Sequence, residues 1–289
     1  MKKIILSILL FFFAFSYGQQ WPAYRIYSKA GKPVGAEFMA KKLSKYDVVL
    51  FGELHNNSIN HWLQLRLAKS LFKHKKNRLV LGAEMFERDN QTGLSGYLAG
   101  KLPAKQLKDS VRLWNNFITD YKPLLDFAKK EKLVFVATNV PRRYASQVAK
   151  QGLASLDTLP QPDKRWIAQL PITVSLETPG YAAMKKMMGD HADGKQIMNF
   201  VAAQAIKDAT MAESISNNRR GEQLFLHFNG DYHSKEYGGI YWYLKQQNPA
   251  LKIAVISIFE TEDQNLAMPT GVVTEFNLVL PADMIRTYE

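Results

Sequence analysis

The sequence predicts an α/β fold built around a mainly parallel sheet, with a small helical lobe inserted late in the chain. The strands are short, rich in Val, Ile, Leu and Phe, and mostly apolar throughout, which is typical of strands buried on both faces. Helical stretches lie between them, so parallel βαβ units are the natural assembly. The six predicted strands are residues 48–52, 79–84, 133–138, 224–229, 253–258 and 275–280.

Helical periodicity and turn residues define the stretches between the strands. After Asn57 or Ser58 as N-cap, apolar residues recur every four positions, which predicts a helix to about His74. The stretch 139–223 is too long for a simple crossover, and it contains several helical segments separated by turn-forming prolines. We therefore expect a helical lobe at about residues 141–220, beside or over the carboxyl edge of the sheet.

The N-terminal segment has the organisation of a secretory signal peptide. Two lysines precede an apolar stretch, Ile4 to Phe15, and small or turn-forming residues follow up to Gly18. The apolar stretch is shorter than the roughly 20 residues of a membrane span. The sequence thus predicts a cleaved signal at residues 1–18, a mature domain at residues 19–289, and a location in the periplasm or cell envelope. An uncleaved anchor is the alternative.

Composition and charge exclude several classes of protein. The chain has no cysteine, which excludes disulfides, thiolate metal ligands, covalent haem attachment through Cys-x-x-Cys-His and a Cys-anchored lipoprotein. With 46% hydrophobic residues, the chain is able to bury a core of its own. The formal charge of +12 is spread over scattered basic runs without interleaved aromatic residues, so we expect no nucleic-acid partner.

Two distant segments, Gly52–His55 and Gly230–His233, each follow a predicted strand with the pattern Gly-x-x-His. Ligands of open α/β sheets bind at the carboxyl ends of the strands, so both imidazoles are expected in one site. Acidic residues accompany them, because Glu53 precedes His55 and Glu84 ends a third strand. These residue types suit a transition-metal site, an iron cofactor or an acid–base pair, and the residues alone leave all three open.

Further candidates for cofactor binding lie on predicted helices. His61 is on the first turn of the helix after His55, where free N–H groups suit a carboxylate or propionate; an ordinary polar role is the alternative. Tyr181, Met184 and His191 belong to one short segment of the lobe. Tyr, Met and His are all axial ligands of haem iron, although methionines also fill gaps in small helical lobes.

Two polar residues interrupt an apolar helical face. Gln204 and Asp208 occupy the middle of a stripe that is otherwise apolar from Ile197 to Ile215. Buried polar groups need partners, so these two are expected to orient a ligand histidine through its second ring nitrogen. A stripe that meets solvent at its middle is the alternative.

Five segments of the chain carry a resemblance to a known family. They span roughly residues 47–258 and are Val49–His55 with His61 and Gln64, Gly82–Arg88, Asn139–Arg142, Gln204–Glu213, and Gly230–His233 with Gly238–Ile240. In this order they resemble the ChaN-like haem-binding family, whose superfamily also includes the Tiki/TraB proteins and, more distantly, the erythromycin esterases. The resemblance implies a three-layer α/β/α fold, export to the cell envelope, haem binding and a link to iron acquisition.

The resemblance also assigns site residues and shows two departures. The positions that match the site of the superfamily are Glu53, His55, Glu84 and His233. The lipoprotein cysteine that is frequent in the family is missing, which puts outer-membrane anchoring in doubt. Tyr232 stands before the last histidine, where a small residue is usual, and a tyrosine there either binds iron or narrows the site.

Two functions therefore compete. The first is an exported protein that holds haem non-covalently, with an outer-membrane haem or iron transport system as partner and a homodimer as a further hypothesis. Its cofactor-binding residues are predicted to be His55, His61, Tyr181, Met184, His191, Tyr232 and His233. The second, less favoured, is an esterase or peptidase that uses the four strand-end residues directly or as ligands of a divalent transition metal.

Overall fold

The computed structural model describes residues 21–188, 193–271 and 274–288. The predicted signal peptide and the candidate His191 lie outside the described residues. Along the described part of the chain, no helix combines the length and the apolarity needed to cross a membrane. The same part contains a seven-stranded sheet with helices on both of its faces.

The sheet is parallel except at one edge. Its strands are, in chain order, β1 (Arg25–Ser28), β2 (Val48–Glu53), β3 (Leu79–Glu87), β4 (Val134–Asn139), β5 (Leu224–Gly230), β6 (Ile253–Thr261) and β7 (Phe276–Pro281). In space their order is β1-β7-β6-β2-β5-β3-β4, and β1 runs antiparallel to β7. The six predicted strands are present, which confirms the α/β class. The sequence does not predict β1, because this strand has only four residues and polar ends.

The connections between the strands contain α-helices and short turns of 3-10 or π helix. In the described residues the α-helices are α1 (Ala36–Leu43), α2 (Ser58–Lys75), α3 (Gln91–Leu98), α4 (Leu107–Ser110), α5 (Lys122–Glu131), α6 (Arg142–Gln151), α7 (Tyr181–Met188), α8 (Gly194–Asn218) and α9 (Gly239–Gln247). Helices thus separate most consecutive parallel strands, as βαβ assembly requires.

Helix α2 shows how the sequence determines one of these elements. The side chain of Asn57 accepts a hydrogen bond from the backbone N–H of Asn60, so Asn57 is the N-cap. Leucines that recur every four residues are buried in the core, and each full burial contributes about 1.5–3 kcal/mol. The helix ends at Lys75, because the next residue, Lys76, has a positive φ of 52°.

The two faces of the sheet carry separate hydrophobic cores, so the fold has three layers in the order α/β/α. On the first face, α1, α2, α3 and α5 pack against strand residues such as Val49 and Phe51. On the second face, α6, α8 and α9 pack against the alternate residues, such as Val48 and Leu50. Burial on both faces explains why the strand sequences are apolar throughout.

The stretch expected as a helical lobe contains α6, α7 and α8. Helices α6 and α8 pack on the second face of the sheet, where α8 buries Val201, Ile206 and Met211. Helix α7 contacts α8, and Tyr181 at its start is buried. Met184 of α7 lies next to residues from the carboxyl ends of the strands, so this part of the stretch borders the edge where ligands bind.

Candidate functional site

Three neighbouring strands, β2, β5 and β3, end at the same edge of the sheet. Parallel pairing places Glu53 opposite Gly230, so the two Gly-x-x-His segments lie at adjacent strand ends. Glu84 is on β3, on the other side of β5. A cleft of about 830 Å³ opens at this edge, and both His55 and His233 line it. Residues that are far apart in the sequence therefore share one cleft.

Glu53 is buried at the end of β2 among hydrogen-bond donors. Its Oε1 accepts from the hydroxyl of Tyr121 (2.7 Å) and from Nδ1 of His55 (2.8 Å). Its Oε2 accepts from the amide of Gln64 (2.5 Å). Burial alone would raise the pKa of Glu53, but nearby His61 and the hydrogen bonds from His55 and Gln64 lower it below its ordinary value. Glu53 is thus an anionic anchor for the ring of His55.

His55 is held from several sides and presents one ring nitrogen to the cleft. Its carbonyl oxygen accepts from Asn116 (2.8 Å) and from Nε2 of His61 (3.0 Å). Its ring packs edge-on against Trp114, with centroids 4.9 Å apart. The side chain is 34% exposed, and within the described residues Nε2 makes no hydrogen bond. An imidazole whose Nδ1 is bound to a carboxylate and whose Nε2 is free has the arrangement of a metal ligand.

A second group of buried polar side chains runs from β3 to α7. Nε2 of His233 lies 3.2 Å from Oε1 of Glu84, and its Nδ1 lies 2.5 Å from Oδ1 of Asp208. The other oxygen of Asp208 accepts from the hydroxyl of Tyr181 (2.5 Å). The other oxygen of Glu84 accepts from the backbone N–H of Gly230 (2.7 Å). We call Glu84, His233, Asp208 and Tyr181 the buried chain.

The two carboxylates of the buried chain stabilise the protonated form of His233. Burial alone would lower the pKa of His233, but Glu84 and Asp208 raise it to about 10. Burial alone would raise the pKa of Glu84, yet His233 holds it well below its ordinary value. The two carboxylates therefore favour an imidazolium at His233 at neutral pH, with both ring nitrogens donating to them.

The raised pKa of His233 predicts how stability depends on pH. The folded protein keeps this proton up to about pH 10, whereas an unfolded histidine loses it near about pH 6.5. The stabilisation that this proton provides is complete below about pH 6.5 and is lost as pH rises towards about pH 10. We expect the free energy of unfolding, measured by urea denaturation, to decrease across this window, and to decrease less in His233→Gln. Equal slopes in both proteins would contradict the buried ion pair.

Gly230 leaves room for the ring of His55. A β-carbon at this position would lie 2.8 Å from Nε2 and 3.0 Å from Cε1 of His55. The backbone of Gly230, with φ −52° and ψ 138°, is one that alanine adopts without strain. The absence of a side chain is therefore needed for space and not for backbone conformation.

The other predicted cofactor residues fall into two groups. Met184 and Tyr232 line the cleft, and Tyr232 is 48% exposed. Gln204, expected with Asp208 to orient a histidine, also lines the cleft, but among the described residues its Oε1 accepts from Nζ of Lys207 (3.4 Å) and from no histidine. His61 and Tyr181 are buried. Both ring nitrogens of His61 face oxygen acceptors, and the hydroxyl of Tyr181 is used within the buried chain. In this arrangement neither of the two offers a free atom to the cleft.

Two further histidines, His74 and His227, lie outside the cleft. Nε2 of His74 is 3.4 Å from Glu37 near the surface. His227 is buried within β5, where its ring nitrogens bond Thr138 (2.8 Å) and Asn229 (3.0 Å). Burial lowers the pKa of His227 to about 4, so this ring is neutral and structural.

The four residues considered as a metal centre lie close together but bond other partners. Across the described ranges, no three His, Asp or Glu side chains are placed to hold a metal ion jointly. Both oxygens of Glu84 and both ring nitrogens of His233 already have protein partners. Both oxygens of Glu53 have donors as well. His55 is the member of this set that keeps a free ligand atom.

Several residues of the site carry no recognisable signal in the sequence. Asn116 and Tyr121 come from the segment between α4 and α5, where no strand end or Gly-x-x-His pattern marks them. Phe200 of α8 lines the cleft, as do Arg286 and Tyr288 after β7. Helical periodicity indicates an apolar face of α8 but not which part of it meets the strand ends.

A larger groove, of about 1060 Å³, lies between the segment 157–173 and helices α8 and α9. Of the described residues that line it, none belongs to the predicted site. Ligand sites of open α/β sheets lie at the carboxyl ends of strands, and perturbed titratable groups cluster at functional sites. Both considerations favour the smaller cleft, at the strand ends, as the functional site.

The family described as "Haem-binding uptake, Tiki superfamily, ChaN" matches residues 39–244, more than two thirds of the chain. The chain belongs to this family. The match includes the strand ends that carry Glu53, Glu84 and His233, so the resemblance predicted from the five segments is confirmed. No curated protein matches the chain significantly.

A solved structure similar to this member of the ChaN family shows the shared fold. ChaN of Campylobacter jejuni, described as binding haem cofacially, has a TM-score of 0.66 and 16% identity, over 89% of this chain and 96% of its own. The type III effector HopBA1 has a TM-score of 0.46 and 14% identity, over 86% of this chain and 94% of its own. The effector domain RRSP of a Vibrio vulnificus MARTX toxin has a TM-score of 0.47 and 16% identity, over 88% of this chain and 41% of its own. At 16% identity the first shows the fold alone, and the last two are too distant to support any inference.

Proposed function

We propose that this protein binds haem non-covalently in the cleft at the ends of β2, β5 and β3, with Nε2 of His55 as the axial ligand of the iron. The observation that carries the proposal is the free Nε2 of His55, on a ring that Glu53 orients through Nδ1. His233, the other histidine of the cleft, uses both nitrogens on carboxylates. Family membership and the haem described for Campylobacter jejuni ChaN support haem as the ligand.

Apolar side chains line the cleft together with His55 and suit a flat macrocycle. Met184 and Phe200 are both at the cleft surface, and Phe200 is 38% exposed. Covering such side chains with a porphyrin face removes apolar surface from water, which favours binding. The cleft also lies within the range of about 300–1,000 Å³ that is usual for ligand pockets. Tyr232 is the alternative iron ligand, because a phenolate also binds haem iron.

The binding is non-covalent and belongs to haem or iron acquisition at the cell envelope. The chain has no cysteine for thioether bonds to haem or for a lipid anchor. Residues 1–18 act as an export signal in this proposal, and an outer-membrane haem or iron transport system is the partner. A homodimer is proposed as well, and sedimentation with and without haemin tests it: a mass that stays that of one chain would contradict it.

Haem binding is expected to strengthen as pH rises. Burial lowers the pKa of His55, but the hydrogen bond to Glu53 and the charge of Glu84 raise it above its ordinary value overall. A protonated imidazole cannot bind iron, so protons compete with haem below this pKa. We expect the Kd for haemin to keep falling as pH rises past about 6.5, the ordinary pKa of histidine. A Kd that is independent of pH would contradict a bond to His55.

Gly230→Ala is expected to weaken haemin binding by at least about tenfold, since the new methyl group displaces the ring that carries the free nitrogen. Absorption titration measures the affinity, and thermal melting reports whether the fold persists. Gly194→Ala is the matched control, because no described residue has an atom within 4 Å of a β-carbon there. Wild-type affinity in Gly230→Ala would show that the position of the ring does not matter for binding.

A hydrolase is the second candidate, and the pairing of His55 with Glu53 is the observation that favours it. An imidazole oriented by a buried carboxylate, with its other nitrogen facing a cleft, has the geometry of a general base. In that case His55→Ala would abolish hydrolysis of an ester or peptide, and haemin would have no effect on the protein.

Titration of the purified protein with haemin separates the two candidates. Haem binding predicts a saturable Soret shift and a higher melting temperature, because a ligand at 100 times its Kd adds about 2.7 kcal/mol. The result that would overturn the proposal is an unchanged spectrum and melting temperature with haemin, together with stabilisation by Zn²⁺ or Mn²⁺. That outcome would favour the metal-dependent hydrolase.

A further inference from the structure

The segment that follows β7 forms part of the wall of the cleft. Arg286 pairs with Asn57 in an isolated antiparallel bridge, and the backbone N–H of Thr287 donates to the carbonyl of Asn56 (2.9 Å). These bonds fix the segment to the loop after β2, which carries the free imidazole of the site. The segment lies outside residues 39–244, the range that matches the family.

Arg286 is the permanent cation of this cleft. Among the lining residues that the structure describes, no other Arg or Lys is present, whereas Glu53, Asp231 and Glu260 contribute carboxyl groups. The other cation of the lining, the imidazolium of His233, has both ring nitrogens bonded to Glu84 and Asp208, so an anionic ligand that enters the cleft meets Arg286 as the cation with unused donors. The Arg286 side chain is 35% exposed, so this charge is accessible.

The guanidinium of Arg286 is held in place and keeps unused donors. Its Nη1 and Nη2 donate to the two oxygens of Glu260, at 2.5 Å and 2.8 Å. Glu260 in turn accepts from the side-chain amide of Asn57 (2.8 Å), so both members of the pair are fixed to the site. A guanidinium has five N–H donors, and the pair with Glu260 uses two of them.

We propose that Arg286 is a specificity residue that binds a carboxylate group of the ligand, while Glu260 is a positioning residue that fixes the plane of its guanidinium. A planar fork of donors recognises a carboxylate in a defined orientation, and a fixed fork loses little freedom on binding. This inference rests on the proposed function, since the propionate groups of haem are the carboxylates concerned.

Paired titrations with haemin and with haemin dimethyl ester, whose propionates are uncharged, test the role of Arg286. We expect the wild-type protein to bind haemin about tenfold more tightly than the ester, and Arg286→Gln to lose this preference. Arg286→Lys keeps the charge but not the fork, and its preference should be intermediate. Arg78→Gln is the matched control, because Arg78 forms an exposed pair with Glu222 at the amino ends of the strands.

The ratio of the two affinities separates specificity from a purely structural role. If Arg286→Gln weakens the binding of haemin and of the ester equally, the ratio of the two affinities stays that of the wild-type protein. This result would show that the pair with Glu260 only holds the segment, and it would overturn this inference alone. Wild-type protein that binds neither compound would overturn the proposed function and this inference with it.

Discussion

Replacing His55 by alanine is expected to weaken haemin binding by at least about a hundredfold and to change the Soret band of any residual complex. The substitution removes the free Nε2, while Glu53 keeps its hydrogen bonds from Tyr121 and Gln64. Loss of the outer partner of a metal ligand costs about 10–100-fold in affinity, so loss of the ligand itself should cost at least the upper value. Absorption titration measures both the affinity and the spectrum.

Two further variants make the result on His55 decisive. His74→Ala removes a partly exposed histidine that contacts Glu37 away from the cleft, and it should bind haemin like the wild-type protein. Tyr232→Phe removes the alternative iron ligand at the cleft surface and should leave the Soret band unchanged. If Tyr232→Phe loses the band and His55→Ala retains it, the iron is bound by tyrosine and the assignment of His55 is wrong.

Asp208→Ala is expected to destabilise the protein by about 3–5 kcal/mol, the usual cost of leaving one member of a buried ion pair alone. Asp208 is fully buried, and its oxygens bond the imidazolium of His233 and the hydroxyl of Tyr181. Alanine leaves both groups without this partner. Urea denaturation at neutral pH, where His233 keeps its proton, measures the loss.

Asp109→Ala is the control for Asp208, because it removes an exposed carboxylate from the short helix α4. Its effect on the free energy of unfolding should stay within about 0.5 kcal/mol. An effect of Asp208→Ala that is equally small would mean that the buried chain contributes no net stability. Asp208→Asn keeps the shape of the side chain but not its charge, and its stability should fall between those of the wild type and the alanine variant.

The location of the site could be predicted because its residues lie in local sequence patterns, namely the ends of apolar strands and an apolar helical face. Apolar strands identify the sheet, and parallel pairing brings strand ends such as Glu53 and Gly230 together whatever their distance in the sequence. Asp208 was predictable in the same way, since a carboxylate inside an apolar helical face must find a buried partner. The structure shows that this partner is His233.

The partners of individual atoms could not be predicted, because they depend on tertiary contacts. Tyr181 has the chemistry of an iron ligand, but its hydroxyl is used by Asp208 in the interior. The sequence treats His55 and His233 as equivalent, whereas only the contacts of each ring reveal which nitrogen is free. Arg286 reaches the cleft through a bridge formed after β7, which no local pattern indicates.

The crystal structure of the haemin-loaded, full-length protein is the measurement that tests haem binding at this cleft most directly. We expect the iron to be bonded to Nε2 of His55, with the macrocycle against Met184 and Phe200 and a propionate at Arg286. Haem bound at the groove between α8 and α9, or on the surface away from the strand ends, would contradict the proposed site.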